Sequence, residues 1–269
     1  MRAVVCLKQV VDPLTPAADL ALDCQAKKVR QAVAGPPVIN GYDEQALEAA
    51  LRLKERLGEV EIVGLSLGER FNTDVMKRAL AVGADQLVLV QDPSLDTWDA
   101  CYLATVLAAA IEKIGGVDLV LCGRQASDWD NAFVPLMLAE SLGMPCLTLA
   151  RQVVVADGRV EVERVLPDGS QIMWSELPAV VTVTSELGPL RIPTARARLA
   201  TARIQPRQLT LIELGIIAPP TPRVDIVDLA IPSVGRECRF IEAGDGATAG
   251  RRLADVLWED GVVRPEGSC

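Results

Sequence analysis

Runs of apolar residues alternate with amphipathic segments through the first 145 residues of the chain. The helical period is clearest in DEQALEAALRLKERLG, which begins at Asp43 and places Leu47, Ala50, Leu51 and Leu57 on one face. Strands that alternate with helices in this way are typical of βαβ units, whose parallel sheet is covered on both faces. The pattern therefore predicts an α/β fold with a doubly wound, mostly parallel sheet. The predicted strands cover 2–7, 60–66, 86–91 and 117–122, and the helices between them begin near residues 43, 72 and 97.

The pattern changes after Pro145. β-branched residues alternate on either side of a turn at 156–158, and a second turn at 167–169 leads into SQIMWSE. Two turns between alternating segments predict a β-hairpin region added to the sheet. The run PAVVTVT, at 178–184, predicts one more buried strand.

Beyond Gly188 the chain becomes rich in Arg, Pro and Ala, which indicates an extended C-terminal arm rather than core. One more helix, with Leu253, Val256 and Leu257 on its apolar side, is predicted near the end. The arm has too little apolar periodicity to fold alone, so we expect it to cover a partner subunit. The predicted domains are an α/β nucleotide-binding-like domain, 1–190, and the arm, 191–269.

Composition excludes several classes of function. The net charge of −9 argues against binding to nucleic acid, which needs a positive surface. The chain has no histidine, so no His-dependent triad can form, and we expect neither catalytic residues nor a metal site. Its seven cysteines are scattered without a CxxC pair and are predicted to be mostly buried thiols.

The apolar segments also bear on location. None of them approaches the ~20 apolar residues that cross a bilayer. The N-terminal MRAVVCLKQVVD lacks the apolar core of a signal peptide. A cytoplasmic protein without direct membrane insertion is therefore expected.

The segment GRQASDWDNAFVP, at 123–135, lies between a predicted strand and a predicted helix. Such a loop is where α/β proteins usually hold a phosphate, because a helix N-terminus offers free N–H groups. This one instead carries Trp129, Phe133 and Pro135. The position of the loop therefore favours a phosphate site, whereas these two bulky side chains and the proline oppose one.

Five segments closely resemble the β subunit of electron-transfer flavoproteins, and together with a similar C-terminal arm they extend over nearly the whole chain. The segments are VCLKQVVD (5–12), INGYDEQALEAALRLKE (39–55), RALAVGADQLVLV (78–90), LVLCGRQASDWD (119–130) and LPAVVTVTSELGPLRIPT (177–194). The resemblance implies a heterodimer whose α subunit holds most of one FAD and is wrapped by the arm. It also implies that electrons come from flavin dehydrogenases of the acyl-CoA dehydrogenase type and leave towards a membrane quinone oxidoreductase.

The resemblance further implies a nucleotide site in this subunit, for AMP in ordinary members and for a second FAD in electron-bifurcating members. Tyr42 matches an aromatic residue near the flavin of the α subunit, although a surface tyrosine is the alternative. For Ser66 and Gly68, a tight strand-to-helix turn is an equal alternative to ligand contact. The implied site residues are Cys6, Lys8, Asn40, Tyr42, Ser66, Gly68, Gly123, Gln125, Asp128 and Asn131.

The loop departs from both family patterns where the phosphate would lie. AMP-binding members read DDDxNQTGQ and bifurcating members DGDTAQVGP, whereas this chain reads DWDNAFVPL from Asp128. The replacements remove amide and hydroxyl donors, and Pro135, in the first turn of a helix capped by Asp130 or Asn131, removes one N–H. We therefore expect a degenerate AMP site in which Phe133, Val134 and Leu136 pack as core. The alternative is a nucleotide held by backbone N–H groups and Gln125.

A docking segment for the donor dehydrogenase is implied at 193–203. The family's anchoring leucine corresponds to Ala195, which is flanked by Arg196 and Arg198. This departure predicts a different donor or docking by charge, and Leu199 is a substitute anchor. A solvated basic arm is the alternative.

Two other functions remain open. KQVVD at 8–12, with Ala132 and Val134, resembles the bifurcating type, but Phe133 and Pro135 oppose it. A stand-alone adenine-nucleotide-binding module would need only the α/β pattern and no partner-wrapping arm.

Overall fold

The apolar runs become strands in a computed structural model of the chain, which describes residues 1–25, 27–31, 35–218, 223–230 and 238–263. The strands are β1 (Arg2–Cys6), β2 (Gln9–Val10), β3 (Leu20–Asp23), β4 (Lys28–Gln31), β5 (Val38–Ile39), β6 (Glu61–Gly68), β7 (Gln86–Gln91), β8 (Leu119–Gly123), β9 (Cys146–Ala156), β10 (Arg159–Leu166), β11 (Gly169–Glu176), β12 (Ala179–Val183) and β13 (Arg207–Leu209). The helices are α1 (Gly41–Leu57), α2 (Thr73–Met76), α3 (Arg78–Val82), α4 (Ala100–Ile114), α5 (Phe133–Leu142), α6 (Ala195–Ala202) and α7 (Gly246–Glu259).

Nine of these strands form one sheet in the order β11-β10-β9-β12-β8-β1-β6-β7-β13. The strands from β9 through β12 to β13 pair in parallel, whereas β9, β10 and β11 pair antiparallel. The doubly wound, mostly parallel sheet and its added hairpin region are therefore confirmed. After β1 the chain adds β6 and then β7 on one side of β1, and it then adds β8 on the other side.

Both faces of the sheet are covered because successive side chains of a strand point to opposite faces. On β6, Ile62 belongs to the core under α1, α2 and α3, whereas Val63 and Leu65 belong to the core under α4 and α5. All three are fully buried. This is why the central strands read as continuous apolar runs in the sequence.

Two of the predicted helices differ from the observed ones, one in its first residue and the other in being divided. The helix predicted from residue 97 begins at Ala100, because the Asp99 carboxylate accepts the N–H groups of Cys101 and Tyr102 at 3.0 Å. The single helix predicted near residue 72 is two short helices, α2 and α3, divided at Lys77. The Asn72 side chain caps the first of them by accepting the Val75 N–H at 3.3 Å.

The prediction that the chain after Gly188 is an arm without core is wrong for Leu190, which is buried in the core under α1, α2 and α3, and for residues 207–211. β13 adds to the sheet beside β7, and Leu209 and Leu211 are buried. The edge of β7 offers unpaired backbone groups that a passing extended segment can satisfy. Composition gave no sign of this pairing, because three residues are too few to show a period.

The chain divides into two units, Met1–Leu229 and Ala230–Cys269. The division into 1–190 and 191–269 stays a prediction. In the second unit the predicted C-terminal helix is confirmed as α7, whose N-terminus is capped by the Asp245 carboxylate. None of its residues is buried, and Leu253 and Trp258 are exposed.

Candidate functional site

A cavity of about 470 Å³ lies at the carboxyl ends of the central strands. It is lined by the ends of β1, β6 and β8, by the loops that follow them, and by α4 and the start of α5. The strand order reverses at β1, and such a point leaves a crevice where open α/β sheets bind ligands. The volume lies within the range of about 300–1,000 Å³ that is usual for small-ligand pockets.

Asn40 and Asp43, at the start of α1, hold two of these loops together. The Asn40 side chain donates to the Gln125 carbonyl at 2.8 Å and accepts the Ser127 N–H at 3.1 Å. The Asp43 carboxylate accepts the N–H of Lys8 at 2.7 Å and the N–H of Gly123 at 3.1 Å. Both side chains are buried, so these bonds fix the ends of β1 and β8 against α1.

Gly123 lets β8 approach α1 more closely than any other residue would. A Cβ atom at Gly123 would lie 2.5 Å from Asp43 Oδ1 and 2.7 Å from the Tyr42 carbonyl carbon. Burial raises the pKa of Asp43 to about 7, although the N–H donors of Lys8 and Gly123 oppose the shift. Asp43 was not among the residues predicted for the site, because its only signal in the sequence is that of an acidic residue in the first turn of a helix.

The charged side chains at the mouth of the cavity are largely paired with one another. Lys8 Nζ contacts both carboxylate oxygens of Asp128, at 2.6 and 2.8 Å. The Gln125 amide donates to Asp130 at 2.7 Å. Lys8, Gln125 and Asp128, which were expected to contact a ligand, are therefore bonded to other protein side chains.

The N-terminus of α5 offers few donors to an anion. The N-cap is Ala132, in the left-handed conformation with φ 57°, rather than the expected Asp130 or Asn131. The Asn131 side chain instead accepts the Phe133 N–H at 3.3 Å. Pro135 is the third residue of the helix, as predicted for the first turn, and has no N–H to donate.

The expectation that Phe133 and Leu136 pack as core is wrong. Their side chains are 55 % and 48 % exposed, whereas Val134 is half-buried and packs against the core under α4 and α5. Trp129 is also exposed and contacts Trp98 edge to face at the mouth of the cavity. The side chains of the loop therefore border the cavity without filling it.

Seven of the ten expected nucleotide-site residues line the cavity, namely Cys6, Lys8, Gly68, Gly123, Gln125, Asp128 and Asn131. Asn40 acts behind the lining through its bonds to the loop. Tyr42 is not among the lining residues, and its ring lies under the Arg124 guanidinium, whose Cζ is 5.0 Å from the ring centroid. Ser66 is buried on the opposite face of β6 from Leu65 and Leu67, which do line the cavity, and no described residue bonds to its hydroxyl.

The prediction that most cysteines are buried is wrong for the described residues. Cys122 is buried, Cys6, Cys101 and Cys146 are half-buried, and Cys24 and Cys238 are exposed. Cys269 lies outside the described residues. A hydrogen bond with the Cys6 thiol, together with burial, raises the pKa of Cys122, so the Cys122 thiol that lines the cavity stays protonated.

The segment predicted to dock a partner forms α6, whose N-terminus is capped by the Thr194 side chain. Ala195, Arg196, Arg198 and Leu199 are all exposed, and Leu199 is 76 % exposed. Within the described ranges there is no cluster of three or more metal-ligating side chains. No described helix is long and apolar enough to cross a membrane.

Comparison with known proteins shows the family of the chain. The family model of the electron transfer flavoprotein domain matches residues 31–208. The chain is 34 % identical to electron transfer flavoprotein subunit beta of Megasphaera elsdenii over 76 % of each protein, and 30 % identical to that of Mycobacterium leprae over 94 % of this chain and 92 % of the relative. It is 34 % identical to caffeyl-CoA reductase-Etf complex subunit CarD of Acetobacterium woodii over 71 % of each. The chain therefore belongs to the electron transfer flavoprotein β-subunit family.

Proposed function

We propose that the chain is the β subunit of a heterodimeric electron transfer flavoprotein whose FAD is held mainly by the α subunit. The observation that carries the proposal is the match to the family over residues 31–208, with relatives named as β subunits covering most of the chain. The subunit serves as scaffold and docking surface, and Tyr42 is its contact to the flavin of the α subunit. FAD supplies the electron-carrying chemistry of the complex.

The electrons come from a flavin dehydrogenase of the acyl-CoA dehydrogenase type and pass to a membrane quinone oxidoreductase. The relative from Acetobacterium woodii supports a redox partner that acts on a CoA compound, because its name places it in a complex with caffeyl-CoA reductase. The exposed helix α6 is the surface on which the donor docks.

The cavity residues do not fit the phosphate of AMP or of a second FAD. Acidic side chains in the lining outnumber basic ones even without the buried Asp43, with Glu69, Asp96 and Asp128 against Lys8 and Arg70. Lys8 is already paired with Asp128, and the first turn of α5 has lost one N–H to Pro135 and another to the Asn131 side chain. These features support a degenerate AMP site.

One observation favours the alternative in which a nucleotide binds. The cavity of about 470 Å³ is open at the predicted place, with Leu65, Leu103 and Leu107 as apolar walls. FAD contains an AMP half and a flavin half, so a cavity of this size suits one mononucleotide better than a whole second FAD. The cavity therefore favours a mononucleotide over a second FAD, and the bifurcating subunit and the stand-alone nucleotide-binding module are the alternatives.

Co-expression with the α subunit tests the main proposal. We expect a stable heterodimer that releases one FAD and less than one AMP when it is denatured with acid, because Lys8 in the cavity is already paired with Asp128. Chromatography of the released nucleotides gives both ratios. Two FAD per heterodimer would make bifurcation the leading function, and a stable monomer that binds no α subunit would contradict the proposal.

Replacement of Leu199 by alanine tests the docking surface. We expect the value of kcat/KM for reduction of the heterodimer by an acyl-CoA dehydrogenase to fall by about 10-fold, because exposed apolar anchors carry much of the energy of a transient interface. Ile212→Ala is a matched control, since Ile212 is 78 % exposed but lies outside α6. Equal rates for the two variants would exclude Leu199 as the anchor.

A further inference from the structure

Lys77 is a buried lysine at the junction between α2 and α3. Only 8 % of its surface is exposed, and its ammonium group donates a hydrogen bond to the Ala202 carbonyl at 2.7 Å. Within the described residues no carboxylate lies within ion-pair distance of it. A polar group is costly to bury without a partner, and the Ala202 carbonyl supplies that partner for the Lys77 side chain.

Ala202 is the last residue of α6. The final carbonyl groups of a helix have no partner within the helix, and they carry the negative end of its dipole. A lysine ammonium group is well suited to both features. The bond therefore joins the C-terminal end of α6 to the junction of α2 and α3.

Among the described residues, α6 packs on α3 but buries none of its own side chains. None of its eight residues is buried, and Ala197 and Thr201 are the half-buried ones. Apolar packing is the usual means by which a short helix is held, because such helices are marginal in water. For α6 the packing contribution is small, so a single charged hydrogen bond has a large share in fixing its position.

The chain that enters α6 is held by a second buried charge. The Glu48 carboxylate accepts from the Arg191 backbone N–H at 3.1 Å, from Nε at 3.0 Å and from Nη2 at 2.9 Å. Glu48 is 5 % exposed, and Pro193, between Arg191 and α6, is buried as well. The exposed residue Leu199 thus lies on a helix whose two ends are fixed to the body of the protein by different groups.

We propose that Lys77 is a positioning residue for partner docking, which fixes the C-terminal end of α6 so that Leu199 is presented in one orientation. The inference rests on the proposed docking function of α6. Loss of the bond lets the end of the helix move, so the partner has to order it on binding, and the affinity of the encounter falls. Electron transfer within the docked complex does not involve Lys77.

Steady-state reduction of the α/β heterodimer by an acyl-CoA dehydrogenase tests this role. For Lys77→Met we expect the KM for the heterodimer to rise about 5- to 10-fold while kcat stays within about twofold, from the usual value of a hydrogen bond to a charged group. Lys77→Arg, which can still donate to the carbonyl, is expected to restore most of the affinity. Lys113→Met, at an exposed lysine near the end of α4, is the matched control and should leave the KM unchanged.

Hydrogen exchange of the same heterodimers gives a second measurement. The amides of residues 195–203 are expected to exchange faster in Lys77→Met than in the wild type or in Lys77→Arg. If the methionine variant does not assemble, Lys77→Gln, whose side chain is too short to reach the carbonyl, is expected to raise the KM in the same way.

An unchanged KM and unchanged exchange in the Lys77 variants would overturn the inference. A loss of kcat with constant KM would also overturn it, because a positioning residue acts on docking. The proposed docking function is tested separately by Leu199→Ala. If that variant docks normally, the docking proposal itself fails, whereas an effect of Leu199→Ala without an effect of Lys77→Met excludes only the role of Lys77.

Discussion

Gly123→Ala is expected to destabilise the fold by about 3 kcal/mol or more, as severe overpacking in a rigid core does. The added Cβ would lie 2.5 Å from Asp43 Oδ1, 2.6 Å from Tyr42 Cβ and 2.7 Å from the Tyr42 carbonyl carbon. The Tyr42 Cβ and carbonyl carbon lie in the first turn of α1 and cannot move without moving the helix. Relief of the clash would break the bond between Asp43 and the Gly123 N–H.

Urea unfolding of the full chain measures this loss. Gly41→Ala is the matched control, because Gly41 begins the same helix and a Cβ there has no neighbour within 4 Å. We expect that control to be neutral or slightly stabilising, since alanine is the better helix former. Similar unfolding midpoints for the two variants would show that β8 and α1 are not in such close contact.

The second large effect is a decrease in stability as the pH rises from about 4 to about 7, caused by Asp43. Burial raises its pKa from 3.8 to about 7, so over this range the folded protein holds a proton that the unfolded chain has lost. The free energy of unfolding then falls with rising pH by up to about 1.4 kcal/mol per unit, or about 4 kcal/mol in all. Above pH 7 both states are ionised, and the contribution of Asp43 no longer changes.

Asp43→Asn isolates this contribution from that of the other carboxyl groups. Asparagine cannot ionise, and it has one oxygen with which to accept the two N–H groups of Lys8 and Gly123. We expect the variant to be less stable at low pH, and to lack the part of the pH slope that belongs to Asp43. The measurement is the free energy of unfolding of both proteins from pH 4 to 8. Parallel curves would contradict the raised pKa.

The candidate site could be located from the sequence because its residues follow strands. Parallel strands end at one edge of a sheet, so Cys6, Gly68 and Gly123 had to lie near one another once the strands were recognised. The resemblance to the family added Gln125 and Asp128, which also line the cavity. Ser66 was placed less well, because its position on β6 turns it to the other face.

The contacts that hold the loops could not be predicted in the same way. Asn40 and Asp43 are far from Gln125 and Gly123 along the chain, and their hydrogen bonds exist only after α1 has packed on the sheet. The pKa of Asp43 depends on this burial. The pairing of Lys8 with Asp128 likewise joins residues 120 positions apart.

The sequence by itself determined the α/β class, the order of the strands along the chain and the family, because periodicity and motifs are local properties of the chain. Only the tertiary structure decided that the loop borders an open cavity instead of filling it. α5 begins with FVPLML, whose apolar residues surround the helix and favour no face. The left-handed residues Asp130 and Ala132, at φ 50° and 57°, set the direction from which the chain enters the helix. That direction turns Phe133 to solvent, and no pattern of residue types along the chain encodes it.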